Sequence, residues 1–155
     1  MNEISPKFNS TDALLLYSVA YRQRHNEIRT LGGILLSFDA INRSSPMINE
    51  LEDGFSRLTA GGFVEIQGEQ FAATESGVQL FNDVTKPQNP KLRLSDEIQL
   101  LTNRLNESSL KHVEKQLTIT SDDFSKAIQE AAVLFAEVSK KADEIRKARK
   151  AKEAR

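Results

Sequence analysis

Cysteine is absent from the 155 residues. That removes disulfide frameworks, thiolate nucleophiles and thiolate metal sites together, and it fits a reducing compartment. Histidine is nearly absent, with His25 and His112 the only two. His112-Val113-Glu114 reproduces the H-x-E half of a zinc deaminase signature, whose other half, P-C-x-x-C, a chain without cysteine cannot supply. His25, set among arginines, reads as a solvated loop residue rather than a general base. No P-loop, G-x-G-x-x-G or G-x-S-x-G occurs, so nucleotide-binding and hydrolase readings have no support. Glu50, Glu52 and Asp53 are crowded carboxylates, but neighbours on one helix point in different directions and no loop adds oxygen ligands for a hard cation. They read as surface charge. The expectation is a chain that is not an enzyme, with no catalytic residue, cofactor or metal. Long apolar runs are also missing: nothing approaches the roughly 18–20 residues that span a bilayer, and MNEISPKFNS has no basic-then-apolar leader. A soluble, cytoplasmic protein without a membrane partner is expected.

What is present suffices for a core. Apolar residues make up 39% of the chain, and a chain of this length forms about one domain, with room for an appendage. The net charge of -1 hides an asymmetry: residues 1–90 hold 7 basic and 11 acidic side chains, residues 91–155 hold 14 and 11. The last sixteen residues alone carry 8 basic against 3 acidic. A basic tail suits the C-terminal end of a helix dipole, and it is also a surface for nucleic acid or an acidic partner.

Capping residues and apolar spacing lay out the elements. Asn9 to Asp12 offer N-caps for a helix carrying Leu14, Leu15, Leu16, Val19 and Ala20 and ending near Tyr21. A polar connection follows, Arg22 to Arg29, in which Ile28 has the character of a short strand pairing. Thr30 caps a second helix, Leu31 to Asn42, with Ile34, Leu35, Phe38 and Ile41 in phase; Gly32 and Gly33 in its first turn admit the close approach of another backbone. Pro46 fits the first position of a third helix with Ile48, Leu51, Phe55 and Leu58 inward, closed by Gly61-Gly62. Phe63 to Gln67 alternates as a strand, Gly68-Glu69 suits a two-residue hairpin turn, and Gln70 to Ala73 returns. Thr74 then caps a short helix to Asp83.

Over this stretch the sequence runs E-L-x-x-x-x-x-R-L-x-x-x-G-F-V-E from Glu50 to Glu65, then F-x-x-T-x-x-G from Phe71 to Gly77. The pattern resembles the recognition helix and wing of winged helix-turn-helix proteins of the transcription-regulator type. The resemblance implies a mainly α fold with a small β-hairpin wing: a winged-helix domain over residues 9–85, a linker at 86–90 marked by Pro87 and Pro90, and a helical extension over 91–155. It also implies that the third helix offers Asn49, Asp53, Ser56 and Arg57 as its recognition face. The charge there is adverse to DNA, since Ser45 to Asp83 holds one arginine against seven carboxylates, a net -6, and duplex affinity rests on neutralising phosphates. Two functions are therefore expected. The first is a binding and regulatory module whose recognition face is turned toward a protein partner. The second is a conventional DNA-binding regulator using Arg22, Arg24, Arg29 and Arg43 as phosphate contacts, with the basic tail.

In the extension, Leu94, Ile98, Leu101 and Leu105 form one helical row. Leu110, Val113 and Leu117 suggest another short helix, and Leu117 to Thr120 is extended. Ser121-Asp122-Asp123 opens the longest helix. On it Phe124, Ile128, Ala131, Phe135, Val138, Ala142 and Ile145 step by 4-3-4-3-4-3, the spacing of a heptad seam. The preceding helices are expected to cover part of this seam. The remainder is expected to pair with a second copy in a homodimer, as regulators of the winged-helix type often do through an added terminal helix.

Overall fold

The computed structural model describes residues 7–86, 92–108 and 117–153. Among them are six helices and one two-stranded sheet: α1 Ser10–Arg24, α2 Leu31–Asn42, α3 Ile48–Ala60, β1 Val64–Gln67, β2 Gln70–Ala73, α4 Glu75–Thr85, α5 Leu94–Glu107 and α6 Ser121–Glu153. The expected helix at Leu110 to Leu117 lies mostly outside the described residues, as do His112 and most of the linker. No helix among the described residues is long and apolar enough to cross a membrane.

Helix α1 is the pivot. It packs against α2, α3, α4, α5 and β2, and it is apolar around most of its circumference, the signature of a helix enclosed by others. Asn9 and Asp12 close its first turn reciprocally, Asp12 N donating to Asn9 Oδ1 at 2.9 Å and Asn9 N to Asp12 Oδ2 at 3.1 Å, a capping box. The helix runs one turn past the expected end at Tyr21. Its polar last turn is held by tertiary bonds: the Gln23 amide exchanges two hydrogen bonds with the backbone of Ala73, and Arg24 reaches α4. Thr30 and Thr74 cap α2 and α4 as expected, each accepting from the N–H three residues on. Helix α3 starts later than expected, at Ile48, with Pro46 buried outside it and the Glu50 carboxylate accepting from Met47 N at 2.9 Å.

The hairpin pairs Val64 with Ala73 through Gln67 with Gln70, and Gly68 at the turn has φ 63°. The short pairing expected at Ile28 occurs two residues later, where Thr30 bridges Gln70 and Phe71 N donates to Arg29 O.

The expected division at the linker does not divide the core. Leu101 and Leu105 of α5 are fully buried in the same cluster as Leu15, Phe55 and Phe81, and Asn106 exchanges two hydrogen bonds with the backbone of Phe8. Helix α5 therefore completes the N-terminal unit by packing on α1 and α4, and it does not cover α6. Helix α6 packs on α2 instead. The contact is close because Gly32 has no side chain: a Cβ there would lie 2.6 Å from Glu130 Cβ and 2.9 Å from Ala127 O. Ala127 is buried, and Thr30 Oγ1 donates to the Glu130 carboxylate, which puts a negative charge at the positive end of α2.

Tyr17 ties α5 to α1, its hydroxyl donating to Glu97 at 3.0 Å. Burial, then the bond to Glu97, pushes the phenol above its ordinary value. A folded-state value above the unfolded one, about 10, stabilises fully below that pH and is lost as pH rises through the folded value. Tyr17→Phe is therefore expected to cost about 1 kcal/mol at pH 8 through the lost hydrogen bond. The gap to wild type should narrow at pH 11, as read from urea midpoints at the two values; a gap that widens would contradict the assignment.

Candidate functional site

The face expected to enter a groove is the outer side of α3, flanked by the hairpin. The inward row is as the spacing requires, with Leu51, Phe55 and Leu58 fully buried. Asn49 and Asp53 are exposed. Ser56 and Arg57 have other duties. The Arg57 guanidinium turns back to α1 and grips Asp12 with two hydrogen bonds, Nε to Oδ2 at 2.7 Å and NH2 to Oδ1 at 3.0 Å. The Asp12 side chain is 0% exposed and that of Arg57 29%. The bond to Asp12, opposed by burial, raises the guanidinium above its ordinary value, so the pair is a fixed ionic strut between the two helices. Gly54 makes room for it, since a Cβ there would lie 2.9 Å from Asp12 Oδ1.

Ser56 holds a segment from far along the chain. Its hydroxyl accepts from Leu117 N at 3.0 Å, and from there Leu117 to Thr120 leads into α6 with Ile119 buried in the core. Leu117 lines a cleft with Thr59, Gly62 and residues of β1, and a second cleft between the hairpin, the start of α2 and the start of α6. The segment thus lies across the end of α3 and beside the hairpin, over part of the face that would approach a duplex. The hairpin turn, Gln67 to Gln70, carries no basic residue. The acidic count read from the sequence is thereby reinforced, since the one arginine of this face points inward.

The four arginines expected near phosphates do not form one patch. Arg22 is only 5% exposed. It donates to Ile28 O and to Ser37 Oγ and pairs with Glu27 at 3.2 Å, and burial lowers its pKa from the ordinary arginine value. This corrects the reading of Arg22 as a phosphate contact. Arg24 donates to Asn82 and Thr85 of α4 and lies over the Phe81 ring. Arg29 Nε donates to Phe71 O at 2.9 Å. Arg43 is exposed at the left-handed end of α2, φ 58°, and the twelve residues of that helix put it roughly 20 Å from Arg29.

Comparison with protein-family models, with curated proteins and with solved structures finds no match to this chain.

The second surface is α6. Thr120 and Asp123 close its start reciprocally, and Phe124, Ala127, Ala131 and Leu134 lie toward the body. The inward face is thus offset from the expected seam, because Ala127, which is not a seam position, is the buried residue at the contact with α2. The rest of the seam is open: Ile128 is 46% exposed, Phe135 62%, Val138 59% and Ile145 56%, with Ala142 half-buried. Among the described residues no group of three or more His, Asp or Glu side chains is arranged to hold a metal ion.

The ionic strut separates a recognition role for Arg57 from a structural one. Arg57→Met leaves a buried carboxylate unpaired and is expected to cost about 3 kcal/mol, whereas a free surface position would change stability by less than about 0.5 kcal/mol. Urea unfolding decides between the two.

Proposed function

We propose that the protein is a cytoplasmic, non-enzymatic winged-helix module of the transcription-regulator type that acts by binding protein, and that it self-associates through α6. The order α1, α2, α3, hairpin, α4, with α3 following α2 after a short turn, supports the winged-helix reading. The observation that carries the functional half is the state of α3: its exposed side chains include Asp53, its only arginine is spent on Asp12, and Ser56 is occupied by the segment entering α6. A surface with these charges repels phosphate and suits a partner that offers lysine or arginine. Among the described residues, the alternative, a conventional DNA-binding regulator, retains exposed Arg43, the basic end of α6, and Arg24, whose exposed guanidinium is bonded to the neutral side chains of Asn82 and Thr85. The apolar row of α6 supports self-association, because each such side chain contributes about 1.5–3 kcal/mol when fully buried, and α2, at about 18 Å, spans little more than a third of a helix about 50 Å long.

Titration of a labelled random duplex with the intact protein tests the first half. Binding weaker than about 10⁻⁶ M at physiological salt is expected, within the range of non-specific contacts. Sub-micromolar binding with a steep salt dependence would favour the DNA-binding regulator.

Light scattering at micromolar concentration tests the second half. The mass of a dimer is expected for the intact chain, falling to that of a monomer on Phe135→Glu, since that residue is 62% exposed and its replacement leaves the core untouched. A monomer mass for the unaltered chain would remove the self-association.

A further inference from the structure

The open row of α6 reads the same from either end. Its large members in order are Ile128, Phe135, Val138, Ile145: isoleucines outermost, Phe135 and Val138 at the centre, with intervals 7-3-7. A point between Ala136 and Glu137 relates each residue to its counterpart. A two-fold symmetric interface requires this relation, in which one residue meets a second and the second meets the first. The large members of the row, Ile128, Phe135, Val138 and Ile145, are all exposed.

We propose that the occupant of this row is a second copy of the same helix running antiparallel, with the two-fold axis between Ala136 and Glu137. This rests on the self-association reading above and adds its geometry. Phe135 then packs on the partner's Val138 and Ile128 on the partner's Ile145, each apolar knob meeting one of similar or complementary size.

Charge selects the direction. In a parallel, in-register pair Lys141 would flank the seam opposite the partner's Arg146, twice by symmetry, and the basic stretch Arg146 to Lys152 would lie against its own copy. In the antiparallel pair Lys141 comes level with the partner's Ala132 and Arg146 with the partner's Ala127, so neither repulsion arises. In the acidic first turn Asp123 then comes level with the partner's Lys150, and Asp122 lies beside it, opposite charges at the ends of the seam. The two helix dipoles also oppose one another, N-terminal end beside C-terminal end. Each body is packed on the N-terminal half of its own α6, through Ala127 and Glu130, so the antiparallel arrangement puts the two bodies at opposite ends of the pair.

The absence of native cysteine makes the geometry directly readable by thiol cross-linking. Ile128→Cys and Ile145→Cys are exposed single replacements that leave the core intact. Co-expressed with different tags and treated with a short bismaleimide, the two variants are expected to form the mixed covalent dimer. Either variant alone should give about tenfold less, since like positions lie about 25 Å apart along the pair. Cross-linking of Ile145→Cys with itself as strongly as in the mixture would show a parallel pair and overturn the proposal while leaving self-association standing. A dimer mass by light scattering with no cross-link in any combination would overturn this register. A monomer mass with no cross-link would overturn the self-association as well.

Discussion

The structure depends on α1 being enclosed on nearly every side. A helix in that position must be apolar, and any polar group it carries must be matched within the protein, because an unmet buried charge or hydroxyl is costly. Helix α1 carries Asp12, Ser18 and Arg22 into that setting. Asp12 is met by Arg57 and the Asn9 cap, Ser18 by the carbonyl of Leu14, and Arg22 by Ile28 O, Ser37 and Glu27. Among the described residues no buried side-chain polar atom lacks a partner. The functional consequence is a redistribution of positive charge. Arginines that stand out in the sequence as candidates for phosphate are held by the demands of α1 and of the hairpin, and the surface left to α3 is more acidic than the composition suggests.

Much of the fold is legible in the sequence because it is written locally. Thr30, Thr74 and Asn9 cap helices where their side chains reach the orphan N–H groups. Gly61-Gly62 ends α3, Gly68 turns the hairpin, and Leu51, Phe55 and Leu58 lie inward as the 3.6-residue period requires. Gly32 and Gly33 signal a close approach, and it occurs, although which element approaches Gly32 is not written in α2. Leu117 to Thr120 reads from the sequence as an extended stretch, and Ile119 is its buried member.

What sequence reasoning missed are long-range pairings. Asp12 reads as a cap and does cap, but nothing near it in the chain indicates that Arg57, forty-five residues on, completes its surroundings. Arg22 reads as part of a basic loop because the apolar row stops at Ala20. It is helical and buried because the turn at Ile28 and the side chain of Ser37 offer it oxygens. The row Leu94, Ile98, Leu101, Leu105 and the row on α6 are each apolar stripes in the sequence, the first buried at Leu101 and Leu105 and the second mostly exposed. Pairing them with one another failed because an apolar stripe does not encode which other stripe it meets. Prolines at 87 and 90 mark a break in the helix pattern, and such a break is not a break in the core.

The two surfaces are mechanically connected. The segment that takes the Ser56 hydroxyl is continuous with α6, and α6 begins two residues beyond buried Ile119, within the capping box of Thr120 and Asp123. Clearing the end of α3 for any ligand therefore means withdrawing Leu117 and Ile119. Because Thr120 to Glu130 is a rigid run of about two and a half to three turns, withdrawal beyond the reach of the Ile119 backbone lifts Ala127 from Gly32 and Glu130 from Thr30. Those contacts are short and specific, and Gly32 is placed so that no other residue fits as closely. The covering of α3 is accordingly as stable as the seat of α6 on α2. A partner that engages the large exposed members of the α6 row leaves that seat undisturbed, and a partner that engages the Ser56 end of α3 has to displace it.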